Sequence, residues 1–284
     1  MSGDTGRRKR PKGLAVLADR YRCLICDLWG VLYDGRRAFP EALEALRRFR
    51  DTGGHVVILS NAPRPSSTVG PAIARRGIDA QVIDGLITSG DLVRDMVCRT
   101  FAGARAWHLG PAEDSDTLAG LPLAFSDAPA EADVIIATGL SMPEVEAHRE
   151  LLMPAARRRV PLLCANPDRI VIHGGREEIC AGAVADLYAG LGGPVHWLGK
   201  PAPPAYEACR RFFAEMAGEA VPDNAILVIG DSLVTDIAGA RREGLDSLFI
   251  ESGIHGADIA ARGRNAVEEA HRVAPDYRLR RLIW

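Results

Sequence analysis

The sequence predicts an α/β protein: a Rossmann-like, doubly wound parallel sheet with a second α/β unit inserted into it. Three observations carry this. Short apolar or β-branched runs alternate with helical patterns at both ends of the 284-residue chain. Several of these runs stop on a polar or acidic residue, as at Asp27, Ser60 and Asp231, at the strand ends where open α/β sheets place their chemistry. The alternation is interrupted between about residues 90 and 192 by a stretch with strand and helix patterns of its own, enough for a separate core.

Taken in order, residues 1–20 are expected to form a flexible arm. The run Arg7-Arg8-Lys9-Arg10-Pro11-Lys12 reads as a solvated basic segment, with contact to a phosphate-rich partner as the alternative. No apolar stretch follows it, so it is not a secretory signal. Residues 22–27 read as the first strand. Pro40 opens a helix over 41–50, with Leu43, Leu46 and Phe49 on one face and Gly53-Gly54 as its stop. Residues 55–59 form the next strand, and Ser66 and Ser67 cap a helix that ends near Gly77. This order predicts parallel strands joined by right-handed crossovers. The inserted unit, 90–192, has strand-like runs at 104–109, 134–138, 161–165 and 170–172, and helical patterns at 143–157 and 178–191. The first pattern then resumes: a short strand at 195–198, a helix at 202–216, a strand at 225–229, a helix at 233–243 and a strand at 246–250. The core domain is therefore expected over 21–89 and 193–284.

Composition narrows the function. Hydrophobic residues make up 47% and charged residues 25%, ordinary for a soluble globular protein. A net charge of −2 argues against a general nucleic-acid binder. No run of 18 apolar residues occurs, so no membrane span is expected. The six cysteines are scattered, which suits a reducing cytoplasm, the expected location, better than a disulfide framework. Cys23 and Cys26 form a C-x-x-C, but residues three apart on a strand point to opposite faces. No second C-x-x-C completes a zinc site, so both read as small core residues. No G-x-G-x-x-G follows a strand, which excludes a dinucleotide fingerprint.

Four segments carry more specific chemistry. Cys23-Leu24-Ile25-Cys26-Asp27-Leu28-Trp29-Gly30-Val31 is an apolar strand ending on an acid, followed by a tight turn. Val56-Val57-Ile58-Leu59-Ser60-Asn61 is a β-branched run ending in a hydroxyl. Gly199-Lys200-Pro201 precedes a helical stretch, and Ile226-Leu227-Val228-Ile229-Gly230-Asp231 is a second strand-to-acid turn with Asp236 five residues on. In this order the four resemble the motifs of the haloacid dehalogenase (HAD) superfamily. The insertion point resembles that of class IIA, whose C2 cap enters after the second motif. Cys164-Ala165-Asn166-Pro167-Asp168 and Cys180-Ala181-Gly182 resemble that cap's conserved turn and glycine-rich helix start.

The resemblance implies a chemistry. Asp27 is the nucleophile on phosphorus. Asp231, with Asp27 and the backbone carbonyl of Trp29, holds a Mg²⁺ ion, a hard cation suited to carboxylate oxygens, and Asp236 is either a further ligand through water or the residue that orients Lys200. Ser60 and the Asn61 amide bind the phosphoryl oxygens, and Lys200 neutralises charge during transfer. Asn166, Asp168 and His173 are the cap residues expected to face the cleft, and the cap is expected to open and close over the site. His55 opens a strand at the wrong end and reads as structural. The chain departs from the pattern at Trp29, where the family carries a second Asp as general acid/base. An indole N–H donates a hydrogen bond but not a proton. Asp34, Asp168 and His173 are the candidate substitutes. The expected function is a Mg²⁺-dependent hydrolase of small phosphate monoesters (sugar, nucleotide or aryl) acting through an aspartyl-phosphate, slowed by Trp29. The alternative is a homologue that binds a phosphorylated metabolite without turning it over. Dehalogenation needs no Mg²⁺, so Asp231 and Asp236 speak against it. Class IIA caps also imply a homodimer.

Overall fold

The computed structural model describes residues 10–173 and 176–284. In chain order its strands are β1 (Cys23–Cys26), β2 (His55–Ser60), β3 (Gly85–Thr88), β4 (Arg105–Leu109), β5 (Ala124–Phe125), β6 (Val134–Ala137), β7 (Leu162–Cys164), β8 (Ile170–His173), β9 (Arg176–Ile179), β10 (Val195–Trp197), β11 (Ile226–Gly230), β12 (Asp246–Ile250) and β13 (Tyr277–Leu279). Between them run helices α1 (Ala15–Ala18), α2 (Pro40–Asp51), α3 (Ser66–Ala74), α4 (Ser89–Thr100), α5 (Arg149–Arg157), α6 (Ala181–Gly190), α7 (Pro203–Ala217) and α8 (Ala238–Glu243). The chain divides into two compact units. One takes residues up to Ile58, Ala74–Gly85 and Cys209–Trp284, the other Leu59–Ile73 and Leu86–Ala208.

The first unit is organised by a six-stranded sheet in the order β13-β12-β11-β1-β2-β3. The pairings from β13 across to β2 are all parallel. Every residue of β1 and β11 is buried, which is why both read as unbroken apolar runs rather than alternating ones. Cys23 and Cys26 are buried thiols within β1, and burial pushes Cys23 up to about 12, as befits core residues. On α2, Leu43, Leu46 and Phe49 are buried, and each such side chain contributes about 1.5–3 kcal/mol relative to exposure. The helix stops at Gly53, where φ is +88°, a backbone that favours glycine.

The second unit holds a parallel sheet in the order β10-β7-β6-β4-β5 and a separate antiparallel pair, β8-β9. Its core gathers Leu109, Ile135, Leu152, Leu162, Val184 and Tyr188. The Tyr188 hydroxyl donates to the Val160 carbonyl at 2.6 Å, so its polar end is satisfied inside that core.

Four expectations shift. Residues 10–20 are not a loose arm: Leu14 and Leu17 are buried, and the Leu14 amide donates to Ile283 O at 2.8 Å. The apolar run Leu14-Ala15-Val16-Leu17 explains it, whereas the basic residues 1–9 lie outside the described residues. Residues 195–197 do not resume the first sheet; as β10 they pair with β7. Residues 178–179 do not start a helix but end β9, with Ile179 opposite Ile170. The segment 233–243 begins as a wide helical turn, Leu233–Ile237, before α8. Strands β3 and β13 and helix α4 have no counterpart in the sequence reading. Among the described residues, no helix is long and apolar enough to cross a membrane.

Candidate functional site

The first unit concentrates three carboxylates. Asp27 follows β1 and Asp231 follows β11, and these strands are parallel neighbours with Cys26 opposite Ile229. Adjacent strands that end together put both acids at one edge of the sheet. The Asp27 amide donates to Ile229 O at 2.8 Å, fixing that alignment. Asp236 comes from the helical turn after β11. Its Oδ2 accepts the Ser232 amide at 3.1 Å. All three are buried, and they offer ligand atoms within 4.8 Å of one another. Close, buried like charges repel one another, and a cation among them relieves that repulsion. The donor set is all hard oxygen, which fits a divalent ion such as Mg²⁺ better than a thiophilic metal.

Glycines make the room. A Cβ on Gly30, where φ is +73°, would lie 1.9 Å from Asp231 Oδ2, and one on Gly253 would lie equally close. Gly253 belongs to the turn after β12, and in the same turn the Ile254 amide donates to Asp231 Oδ2 at 2.6 Å. Sequence reading missed this turn; its only signal is a glycine shortly after a strand end. The Leu233 amide donates to His255 Nε2 at 3.1 Å, so this imidazole serves as a neutral acceptor. Burial, then the nearby His271, hold its pKa below the ordinary value.

The turn after Asp27 is compact. Trp29 is half-buried and meets the Tyr33 ring edge-on, with centroids 5.3 Å apart. The Arg76 guanidinium lies over the same Tyr33 ring at 5.2 Å, and the Tyr33 hydroxyl donates to Gly35 O. Asp34 Oδ1 accepts the Arg36 and Arg37 amides at 2.9 and 2.8 Å. Those bonds, the Arg37 amide foremost, hold the Asp34 carboxyl below the usual carboxylate range. Asp34 is therefore an ionised loop brace and a poor substitute proton donor.

The second unit assembles the remaining predicted residues. Ser60 ends β2, and its Oγ accepts the Ala62 amide at 3.2 Å. Asn61 is the hub. Its Oδ1 accepts the Lys200 amide at 2.8 Å and the Ser89 hydroxyl at 3.4 Å. Its Nδ2 donates to Lys200 O at 3.1 Å and Asp168 Oδ1 at 2.9 Å. The Asn61 side chain thus holds the loops together and has no capacity left for a ligand; only its backbone amide fits the expected role. Lys200 is buried. Asn166 Oδ1 accepts the Asp168 amide at 3.2 Å, which makes Asn166 the brace of its own turn. That turn abuts the start of α6, where a Cβ on Gly182 would lie 2.4 Å from Pro167 O. His173 ends β8 opposite Arg176; its side chain lies outside the described residues. Ser89 was missed, although Thr88 and Asp91 form a capping box at the start of α4, a pattern readable from sequence.

Comparison with known proteins fits this geometry. Residues 24–123 match a family model described as haloacid dehalogenase-like hydrolase, and residues 197–279 match a second HAD-hydrolase-like model. A crystal structure of a haloacid dehalogenase-like hydrolase from Brucella suis 1330 superposes with a TM-score of 0.85 at 36% identity, covering 96% of this chain and 100% of that one. This chain belongs to the HAD superfamily. Within it the fold is that of the class IIA hydrolases. Among HAD relatives, D-glycerol 3-phosphate phosphatase of Mycobacterium tuberculosis is 28% identical over 250 residues, an alignment spanning 85% of this chain and only 66% of that protein. The crystal structure of a glycerol phosphate phosphatase from Mycobacterium tuberculosis in complex with magnesium aligns at 25% identity and a TM-score of 0.66, covering 87% of this chain and 73% of that one.

Proposed function

We propose that this HAD hydrolase is a Mg²⁺-dependent phosphatase of small phosphate monoesters, acting through an aspartyl-phosphate on Asp27. The observation that carries the reading is the buried carboxylate cluster, with Asp27 and Asp231 at the ends of neighbouring parallel strands and Asp236 on the helical turn after β11. These three carboxylates, with the Trp29 carbonyl, would hold the ion, and when bound it neutralises the charge that otherwise repels a carboxylate from a phosphate. Asp27 then attacks phosphorus, and water later cleaves the aspartyl-phosphate. Ser60 Oγ and the Asn61 amide bind phosphoryl oxygens, while the Lys200 ammonium offsets charge developing in transfer. Asp168 and His173 bias the choice of substrate. The phosphatase named among the relatives supports this substrate class. A second reading, a phosphate-ligand binder without turnover, is favoured by Trp29, which removes a proton donor.

The test is phosphate release from a panel of esters with Mg²⁺, with EDTA and with Asp27→Asn. Release that needs Mg²⁺ and disappears in the variant is expected. Saturable ligand binding with no release above the variant's background would replace the phosphatase reading with the binding one.

A further inference from the structure

We infer that the first unit carries a second ligand site, a cavity walled by Gly30 and Ser252 that takes a small carboxylate with an apolar body and, when filled, tightens the metal site. The pocket itself stands apart from the phosphatase reading; its link to Mg²⁺ rests on the metal assignment made there.

The cavity encloses about 380 Å³, its open mouth included, and all of its lining belongs to the first unit. Ligand pockets run from roughly 300 to 1,000 Å³, so this one suits a single ring or a short chain. Its apolar walls are Val31, Phe39, Ala42, Ile250 and Leu282, and all but Phe39 are buried. Glu41 and Arg281 also line it and pair at 3.4 Å, with both side chains partly exposed. Such a solvent-facing pair contributes little, so an incoming carboxylate replaces Glu41 on Arg281 at small cost. Arg281 also lines the adjoining hollow with Lys12 and Arg280, which makes the approach basic. Glu251, the carboxylate between Ile250 and Ser252, is already held by Arg10 and Arg264. A guanidinium takes a carboxylate bidentately, which selects an acid over a neutral or cationic ligand.

The same cavity meets the metal site through the backbone, since Gly30 and Ser252 are part of its lining. A Cβ on Gly30 would collide with Asp231 Oδ2. Ser252 leads into Gly253, which is as close to that oxygen, and Ile254, whose amide donates to it at 2.6 Å. Two segments that confine the Asp231 carboxylate are therefore also walls of the cavity. The Ser252 amide donates to Arg280 O at 3.0 Å, which ties that wall to the residue before Arg281. A ligand held between Arg281 and the apolar walls restrains both segments before the ion arrives. Ordering them beforehand lowers the cost of the second binding event, which is positive coupling without a change of fold. By linkage, Mg²⁺ tightens the carboxylate by the same factor.

The experiment titrates benzoate calorimetrically into the full chain in EDTA, with benzyl alcohol, the same ring without the charge, as control. Saturable benzoate binding is expected, undisturbed by inorganic phosphate and about tenfold or more tighter than that of benzyl alcohol. Arg281→Gln should remove that advantage and leave benzyl alcohol unchanged. Ala42→Leu fills the cavity with Arg281 in place and should abolish binding of both. Benzoate that binds Ala42→Leu as it binds the wild type sits on surface arginines and overturns the site. So does displacement by phosphate, or no binding to the wild type. If Ala42→Leu does not fold, Arg281→Gln and the benzyl alcohol control decide. Saturating benzoate should then tighten Mg²⁺ binding about fivefold or more. An unchanged or weaker Mg²⁺ affinity overturns the coupling and leaves the phosphatase reading standing. No Mg²⁺ binding under either condition sinks the metal assignment and the coupling with it, while benzoate binding still upholds the pocket.

Discussion

Asp231 is the residue on which the site's electrostatics turn. Two glycines leave space for its carboxylate and one backbone amide orients it, with Ile254 N–H at 2.6 Å. Asp231→Asn keeps an oxygen for that amide and removes one of three crowded charges. In EDTA the variant is expected to melt higher than the wild type, by about 1 kcal/mol or roughly 2–4 °C, while losing the wild type's Tm rise on adding Mg²⁺. A variant that still gains stability from Mg²⁺ would show that the ion does not need this carboxylate. Gly30→Ala acts on the same spot by sterics. A Cβ there meets Asp231 Oδ2 at 1.9 Å in a left-handed backbone, so about 1–2 kcal/mol of strain and weaker Mg²⁺ binding are expected, read by calorimetric titration. Asp27 and Asp231 were legible because each ends a wholly apolar run. Gly253 and Ile254 were not, since their link to Asp231 spans 22 residues or more and exists only once β12 lies beside β11.

Among elements, the loops after β2 and β10 are bound by one side chain. Asn61 makes four hydrogen bonds, to Ser89, Asp168 and both backbone groups of Lys200. Asn61→Ala orphans buried partners and should cost about 2–4 kcal/mol, seen by calorimetry as a lower-melting transition of the second unit. An unchanged thermogram would mean that water or relaxation replaces the hub. The elements read correctly from sequence, β1, β2, α2, β11 and β12, are those with strong periodicity or clear stops. β10 was placed in the wrong sheet because three residues, Val195–Trp197, carry no signal of which strand they will pair with. The β9 residues Arg176–Ile179 are too polar to read as a strand; only pairing with β8 reveals them. Pairing is a tertiary fact, and short strands leave no trace of it in composition.

For the molecule as a whole, each unit carries a histidine held below its ordinary pKa. Burial lowers His108 in the second unit, and burial with His271 lowers His255 in the first. The unfolded chain takes up these protons near the ordinary value of 6.5; the folded chain resists until lower pH. Below about 6.5 the unfolded state therefore binds more protons, and stability falls as pH drops through the lowered folded values. Above that window these groups contribute no slope. Urea midpoints should be equal at pH 7.5 and 8.5 and lower at pH 5.5. His255→Gln, which keeps an acceptor for the Leu233 amide, should flatten part of that decline; an unaltered slope would assign it elsewhere.

The position of β1 has a consequence for biosynthesis. One of its neighbours, β2, follows within about thirty residues, but the other, β11, begins at Ile226. At about 5–20 residues per second of synthesis, roughly 10–40 s separate the two strands' emergence. The residues of the second unit, Leu59–Ile73 and Leu86–Ala208, are all made before β11 exists. A ribosome-stalled chain ending before Ile226 should therefore protect the second unit from protease while leaving β1 open. Asp27 acquires its partner acids only after roughly 200 further residues have been made.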